Sequence, residues 1–140
     1  MTVAGIMSRS VVTIEPHRSL ADVASLLAER RIGAAVVTGV DGMVTGIISE
    51  RDVVRAVALG GPTALEKPVA SHMTRSVVTC SPATLITQVM AMMTQGKFRH
   101  VPVVEADRLV GIVSIGDVVK RRLADFEAES SAMRDYIASA

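Results

Sequence analysis

The sequence predicts an α/β protein: two β-α-β-β-α repeats packed about a pseudo-twofold axis, with an extended C-terminal helix. Two observations predict it. The first is a duplication. Met7–Pro16 (MSRSVVTIEP) matches Met73–Pro82 (MTRSVVTCSP) at seven of ten positions, 66 residues apart. The same offset carries Val23 onto Val89 and Val37 onto Val103. One residue drops out near Asp41-Gly42, and an offset of 65 then aligns GIISERDVV (46–54) with GIVSIGDVV (111–119). The second observation is that, inside each copy, strand-like runs alternate with helical spacing of apolar residues.

The elements follow in order. A β-rich run (Ser10–Ile14; Ser76–Cys80) is stopped by a proline two residues later. Leu20, Val23, Ala24 and Leu27 then fall at helical spacing, as do Ile86, Val89, Met90 and Met93. Ser19 is the expected N-cap of the first helix, and Gly96 the expected end of its counterpart. Met90, Met92 and Met93 read as core filler, because an unbranched thioether fits irregular gaps. Two strands come next: Ala34–Thr38 and Met43–Ile48 about an Asp41-Gly42 turn, then Val101–Val104 and Leu109–Val113. A second helix starts at Ser49 or Ser114. The expected boundaries are 1–58 for repeat one, 59–68 for a linker opened by Leu59-Gly60-Gly61-Pro62, 69–122 for repeat two, and 123–140 for the helix extension. Neither half buries enough surface to be stable alone, so the two should share a core.

Composition narrows the function. Of 140 residues 49% are hydrophobic and 21% charged, with a formal net charge of +1. That balance favours a globular core and gives no general attraction for nucleic acid or anionic membrane. The only aromatic residues are Phe98, Phe126 and Tyr136, too few for a base-stacking surface. The basic triplet Lys120-Arg121-Arg122 is the sole hint of DNA binding. One cysteine, Cys80, rules out an intrachain disulfide and reads as a small buried hydrophobe. The stretch MTVAGIMSRS lacks the basic start and long apolar run expected of a secretory signal, and no apolar run nears the roughly 20 residues a membrane span needs. A cytoplasmic protein without membrane contact is expected. An enzyme is not: no phosphate-binding loop appears, and His72, Cys80 and His100 fit no metal-ligand spacing. No catalytic residue, metal or required cofactor is assigned.

The repeated Ser-x-x-Asp phrase has two readings. Ser49 and Asp52, or Ser114 and Asp117, fit a helix capping box with Asp in place of Glu. The same geometry suits a sugar-phosphate. A helix N-terminus attracts phosphate, a hydroxyl can donate to it, and a carboxylate can accept from two vicinal ribose hydroxyls. A serine nucleophile is the poorer reading, because no base stands beside it.

The ordered motifs M-[ST]-x-x-V-V-T, RHVPVV and G-[IV]-[IV]-S-x-x-D-V-V, over about residues 3–122, resemble a tandem pair of CBS domains, the Bateman module. The resemblance implies a ligand sensor binding adenosine-containing nucleotides between the repeats, with Ser/Thr-x-x-Asp on phosphate and ribose. AMP or ATP is the implied ligand, with NAD and S-adenosylmethionine as alternatives. Each cleft would pair the phrase of one repeat with the middle strand of the other. The first cleft then joins Ser49 and Asp52 with Arg99 and His100, with Lys120 and Arg121 nearby. The second joins Ser114 and Asp117 with Gly33 and Ala34, where Arg55 could compensate for the missing charge. Adenine would lie along the first strands, Val11–Ile14 or Val77–Cys80, which include Thr13 and Thr79. Arg99 and residues 120–122 as a solvated face, and His100 as a core histidine, remain the plain alternatives.

Val119, Leu123, Phe126, Ser130, Met133 and Ile137 form a heptad-like seam on the last helix. It either packs back on its own module or clamps a homodimer, the assembly the resemblance implies through the CBS faces. The expected function is a regulatory module that reports a bound nucleotide to an unidentified partner protein. The alternative is a structural or scaffolding dimer.

Overall fold

The computed structural model describes residues 1–139. The first half comprises β1 (Thr13–Ile14), α1 (Leu20–Arg30), β2 (Ala34–Thr38), β3 (Val44–Ser49) and α2 (Glu50–Gly60). The second comprises α3 (Ile86–Gly96), β4 (His100–Glu105), β5 (Arg108–Ser114) and α4 (Ile115–Ser139). β1 runs parallel to β2, and β2 antiparallel to β3. β4 and β5 repeat the antiparallel pair. The first strands are shorter than their β-rich runs predict. Only Thr13–Ile14 pairs with β2, and in the second half only Cys80 bridges to Val103. Further upstream, Ser8 and Thr74 bridge to the opposite repeat, at Ile112 and Ile47.

Local chemistry explains the helix ends. The Ser19 hydroxyl accepts the Asp22 amide at 3.1 Å, an N-cap that satisfies an otherwise free donor. α1 buries Leu20, Val23 and Leu27. Arg31 and Lys97 follow α1 and α3 in left-handed conformation (φ 54° and 57°), turning the chain into the next strand. Met93 is buried, and Met90 and Met92 pack on the same cluster.

Two cores result, and the chain crosses between them. Val3, from the start of the chain, lies in the core of the second repeat with Val89, Val101 and Val113. Ala64, from the joining segment, and Val69, at the start of the second repeat, lie in the first core with Leu20, Val37 and Ile48. Single antiparallel bridges seal the exchange. Ser8 and Ile112 trade backbone bonds at 2.9 Å, and Thr74 and Ile47 do so at 2.9 and 3.0 Å. Glycine is required at both crossings. A Cβ on Gly46 would stand 2.5 Å from Met73 Sδ and 2.9 Å from the Thr74 carbonyl. One on Gly111 would stand 2.8 Å from Met7 Sδ and 2.9 Å from the Ser8 carbonyl. The exchange delivers residues 74–78 to the end of β3, where the candidate site forms.

α4 extends beyond its counterpart α2, and its apolar seam does not pack back on the module. Val119, Leu123, Phe126, Met133 and Ile137 stay between 49% and 70% exposed. Ala140, the last residue of the expected extension, lies outside the described residues. No helix among those residues is long and apolar enough to cross a membrane.

Candidate functional site

Both Ser-x-x-Asp phrases sit at a strand end turning into a helix. Ser49 caps α2: its amide donates to Asp52 Oδ2 at 2.8 Å, and its hydroxyl accepts the Asp52 amide at 3.3 Å. The Ser49 hydroxyl also donates to Asp52 Oδ2 at 2.9 Å. Ser114 and Asp117 repeat the pattern at the start of α4, at 2.9, 3.1 and 2.9 Å. The acid also suits the positive end of the helix dipole. The capping box is therefore real in both copies. Its bonds leave Oδ1 of each Asp without a protein hydrogen-bond partner among the described residues. That oxygen is the one able to take a ligand hydroxyl.

What faces the two boxes differs. The amide of the residue after each Ser reaches back to an equivalent carbonyl: Glu50 to Gly33 at 2.9 Å, Ile115 to Arg99 at 2.8 Å. The next residue pairs across the strands with the capping Ser, Ala34 with Ser49 and His100 with Ser114. So the first repeat presents Gly33-Ala34 where the second presents Arg99-His100.

These four residues meet at one cavity of about 220 Å³ between the repeats. Ser49 and Asp52 line it from α2, Val77 and Val78 from the exchanged segment, and Arg99 and His100 from β4. Gly33 and Ala34, expected opposite Ser114 and Asp117, line the same cavity. The His100 ring lies against Gly33; a Cβ there would stand 3.5 Å from His100 Cε1. Burial lowers the pKa of His100 below its ordinary value. The Asp117 and Glu50 carboxylates pull it back up, while Arg99 lowers it further. The imidazole thus lies in the field of an acid from each repeat. The cavity adds Arg51 and Lys97, which no sequence motif singles out. Three permanent cations (Arg51, Lys97, Arg99) stand against Glu50 and Asp52, so the walls favour an anion. Lys97 was legible as a charge beside RHVPVV, but only the fold shows that the left-handed turn after α3 brings it to the cavity.

The remaining candidates lie elsewhere. Ser114, Asp117, Lys120, Arg121 and Thr79 are not among the lining residues, and Thr13 borders a separate surface hollow beside Glu15 and Arg18. Arg121 is held by Asp125 at 3.2 Å and touches Met1 Sδ at 2.9 Å. Arg55 lines a cavity under α2 with Lys67 and His72 rather than facing Ser114. Cys80 is buried, and desolvation pushes its thiol up to about 11. That makes it unreactive at neutral pH.

Comparison with known proteins agrees with this architecture. The CBS domain profile matches residues 3–59 and again 69–124. The chain is 32% identical over 120 residues to the mitochondrial CBS domain-containing protein CBSX3 of Arabidopsis thaliana, covering 83% of this chain and 58% of that protein. It thus spans under two thirds of that relative's length. A CBS-domain containing protein from Agrobacterium tumefaciens, ATU1752, superposes with TM-score 0.79 at 50% identity, over 82% of this chain and 86% of that one. The CBS domain pair of MJ0100, solved with 5'-methylthioadenosine and S-adenosyl-L-methionine, superposes with TM-score 0.83 at 26% identity, over 89% and 98%. CBSX2 in complex with AMP does so with TM-score 0.77 at 26% identity, over 88% and 96%. The duplicated sequence, the exchanged cores and the family match agree: the chain belongs to the CBS-domain family and carries two such domains in tandem.

Proposed function

We propose that this chain is a non-catalytic regulatory module that binds an adenosine-containing nucleotide between its repeats and reports it to a partner protein. The single observation that carries the reading is the cavity where the Asp52 box of one repeat meets Arg99 and His100 of the other. The free Oδ1 of Asp52 would accept from ribose, Arg99 would grip phosphate through its forked donors, and Val77-Val78 would face the base. The Ser49 hydroxyl already donates to Asp52. Its help to a phosphate therefore requires that bond to switch. The excess of cations favours AMP or ATP over the cationic sulfonium of S-adenosylmethionine. Relatives of this architecture bind AMP, or 5'-methylthioadenosine and S-adenosyl-L-methionine, which supports the adenosine part of the reading. Thermal denaturation with AMP, ATP, NAD and S-adenosylmethionine tests it. A ligand at about 100 times its Kd adds roughly 2.7 kcal/mol. No shift with any of the four would sink the reading.

The exposed seam of α4 favours a homodimer clamped by that helix, joined through the helical faces of the repeats. Light scattering on a chain truncated after Asp125 checks this. A monomer is expected, and an unchanged dimer would remove α4 from the interface. A dimer that no nucleotide stabilises would instead fit a scaffold.

A further inference from the structure

A second cavity, of about 480 Å³, lies between α2 and the segment joining the repeats. Ala56, Leu59 and Ala64 give it apolar walls, and Arg55, Lys67 and His72 give it nitrogen donors. Among the described residues none of these three is within 4.0 Å of a carboxylate. The Nε2 atom of His72 is buried without a hydrogen-bond partner. Buried polar atoms in folded proteins are nearly all paired, so this orphan is an exception, beside two cations that have no acid partner.

The other repeat shows what is missing. Lys67 and Met1 hold equivalent places: the Lys67 carbonyl accepts the Leu20 amide at 2.9 Å, and the Met1 carbonyl accepts the Ile86 amide at 3.1 Å. Against Met1 lies Arg121, neutralised by Asp125 at 3.2 Å. Shifted by the repeat offset of 65, Asp125 becomes Gly60 and Lys120 becomes Arg55. The second repeat therefore closes this place with a thioether and an internal ion pair. The first opens it and replaces the sulfur with an ammonium, while Ala56 and Gly60 stand where the second has the Arg121–Asp125 pair. The hydroxyls at the rim do not compensate: Thr63 donates to the Gly60 carbonyl and Ser71 to the Pro68 carbonyl.

We propose that this cavity is a second ligand site, distinct from the inter-repeat cleft, and that it takes a phosphate group. Arg55 and Lys67 bind the oxygens, and the apolar walls accept the body of a small phosphate monoester. Asp52 borders both cavities, so occupants of the two sites act on the same turn of α2.

Nitrogen-15 NMR titration of the full chain tests the proposal, with inorganic phosphate, phenyl phosphate and AMP as separate probes. Saturable shifts are expected at Arg55, residues 63–72 and His72 with phenyl phosphate. Tighter binding of phenyl phosphate than of inorganic phosphate identifies an ester as the natural form, and equal binding identifies free phosphate. Lys67→Ala and Arg55→Ala should each weaken binding about tenfold, while AMP shifts at Ser49 and Arg99 persist. Lys67→Ala keeps the backbone carbonyl that anchors α1, so the variant should fold. Shifts that never saturate (an adventitious ion only), shifts confined to the inter-repeat cleft, or unchanged affinity in Lys67→Ala would overturn the site. Failure of AMP to bind anywhere would overturn the nucleotide reading instead and leave this one standing.

Discussion

The two repeats hold one capping box in two settings. Ser49-Asp52 and Ser114-Asp117 make the same three hydrogen bonds, matched within 0.2 Å. Yet the residues equivalent to Gly33-Ala34 are Arg99-His100, the equivalent of Lys67 is Met1, and the equivalent of Gly60 is Asp125. The lesson is that the phrase is structural in both copies. What surrounds it differs between the repeats, and the proposed nucleotide site rests on that difference.

The scaffold should be symmetric, and the exchange of segments offers the hardest test of that. Gly46→Ala and Gly111→Ala each drive a Cβ against a backbone carbonyl at 2.9 Å. Each should cost about 1–3 kcal/mol, the usual range for overpacking. Urea denaturation checks it, and tolerance at only one of the two glycines would break the symmetry.

Binding should be asymmetric. Arg99→Ala removes a cation that Gly33 never supplies in the first repeat. It should weaken AMP about tenfold, the loss of one charge-assisted hydrogen bond of roughly 1.5 kcal/mol. Isothermal titration reads this, and unchanged affinity would return Arg99 to the solvated surface.

The caps should again be equal. Ser49→Ala and Ser114→Ala are each expected to cost about 1 kcal/mol, because both remove the same N-cap. A loss at only one would mean that the shared geometry hides unequal strain.

A smaller contrast is electrostatic. His100 titrates and its counterpart Ala34 does not. Burial depresses the folded-state pKa of His100 below 6.5, so the unfolded chain binds its proton more readily. Its contribution to stability is therefore complete above about pH 6.5 and is lost as pH falls through the folded value. Melting curves should show this slope in the wild type and a flatter one in His100→Gln. Equal slopes would place the acid sensitivity elsewhere.

Much of this was legible in the chain itself, because duplication and local chemistry leave patterns. The Ser19 cap, the end of α3 at Gly96 and the starts of α2 and α4 all follow from spacing and side-chain hydrogen bonding. The lengths of the first strands were not legible. Ser10–Ile14 and Ser76–Cys80 are β-rich, but a strand needs a partner, and only Thr13–Ile14 and Cys80 find one in their own half. The crossing itself left one faint signal, Met7 and Met73 matched to Gly111 and Gly46, which only the packing explains. The cavity of Arg55, Lys67 and His72 draws on a helix and a non-periodic linker, so no motif announces it. From the sequence Arg55 is expected to help the second cleft; helix α2 turns it instead to the cavity with Lys67 and His72.

Calorimetric titration of AMP into the wild type, Asp52→Ala and Asp117→Ala tests the central claim most directly. The unequal settings of the two boxes predict a loss of at least about tenfold for Asp52→Ala, and a change within about threefold for Asp117→Ala, at similar costs in stability. Equal losses of affinity in the two variants would contradict the asymmetry of the clefts.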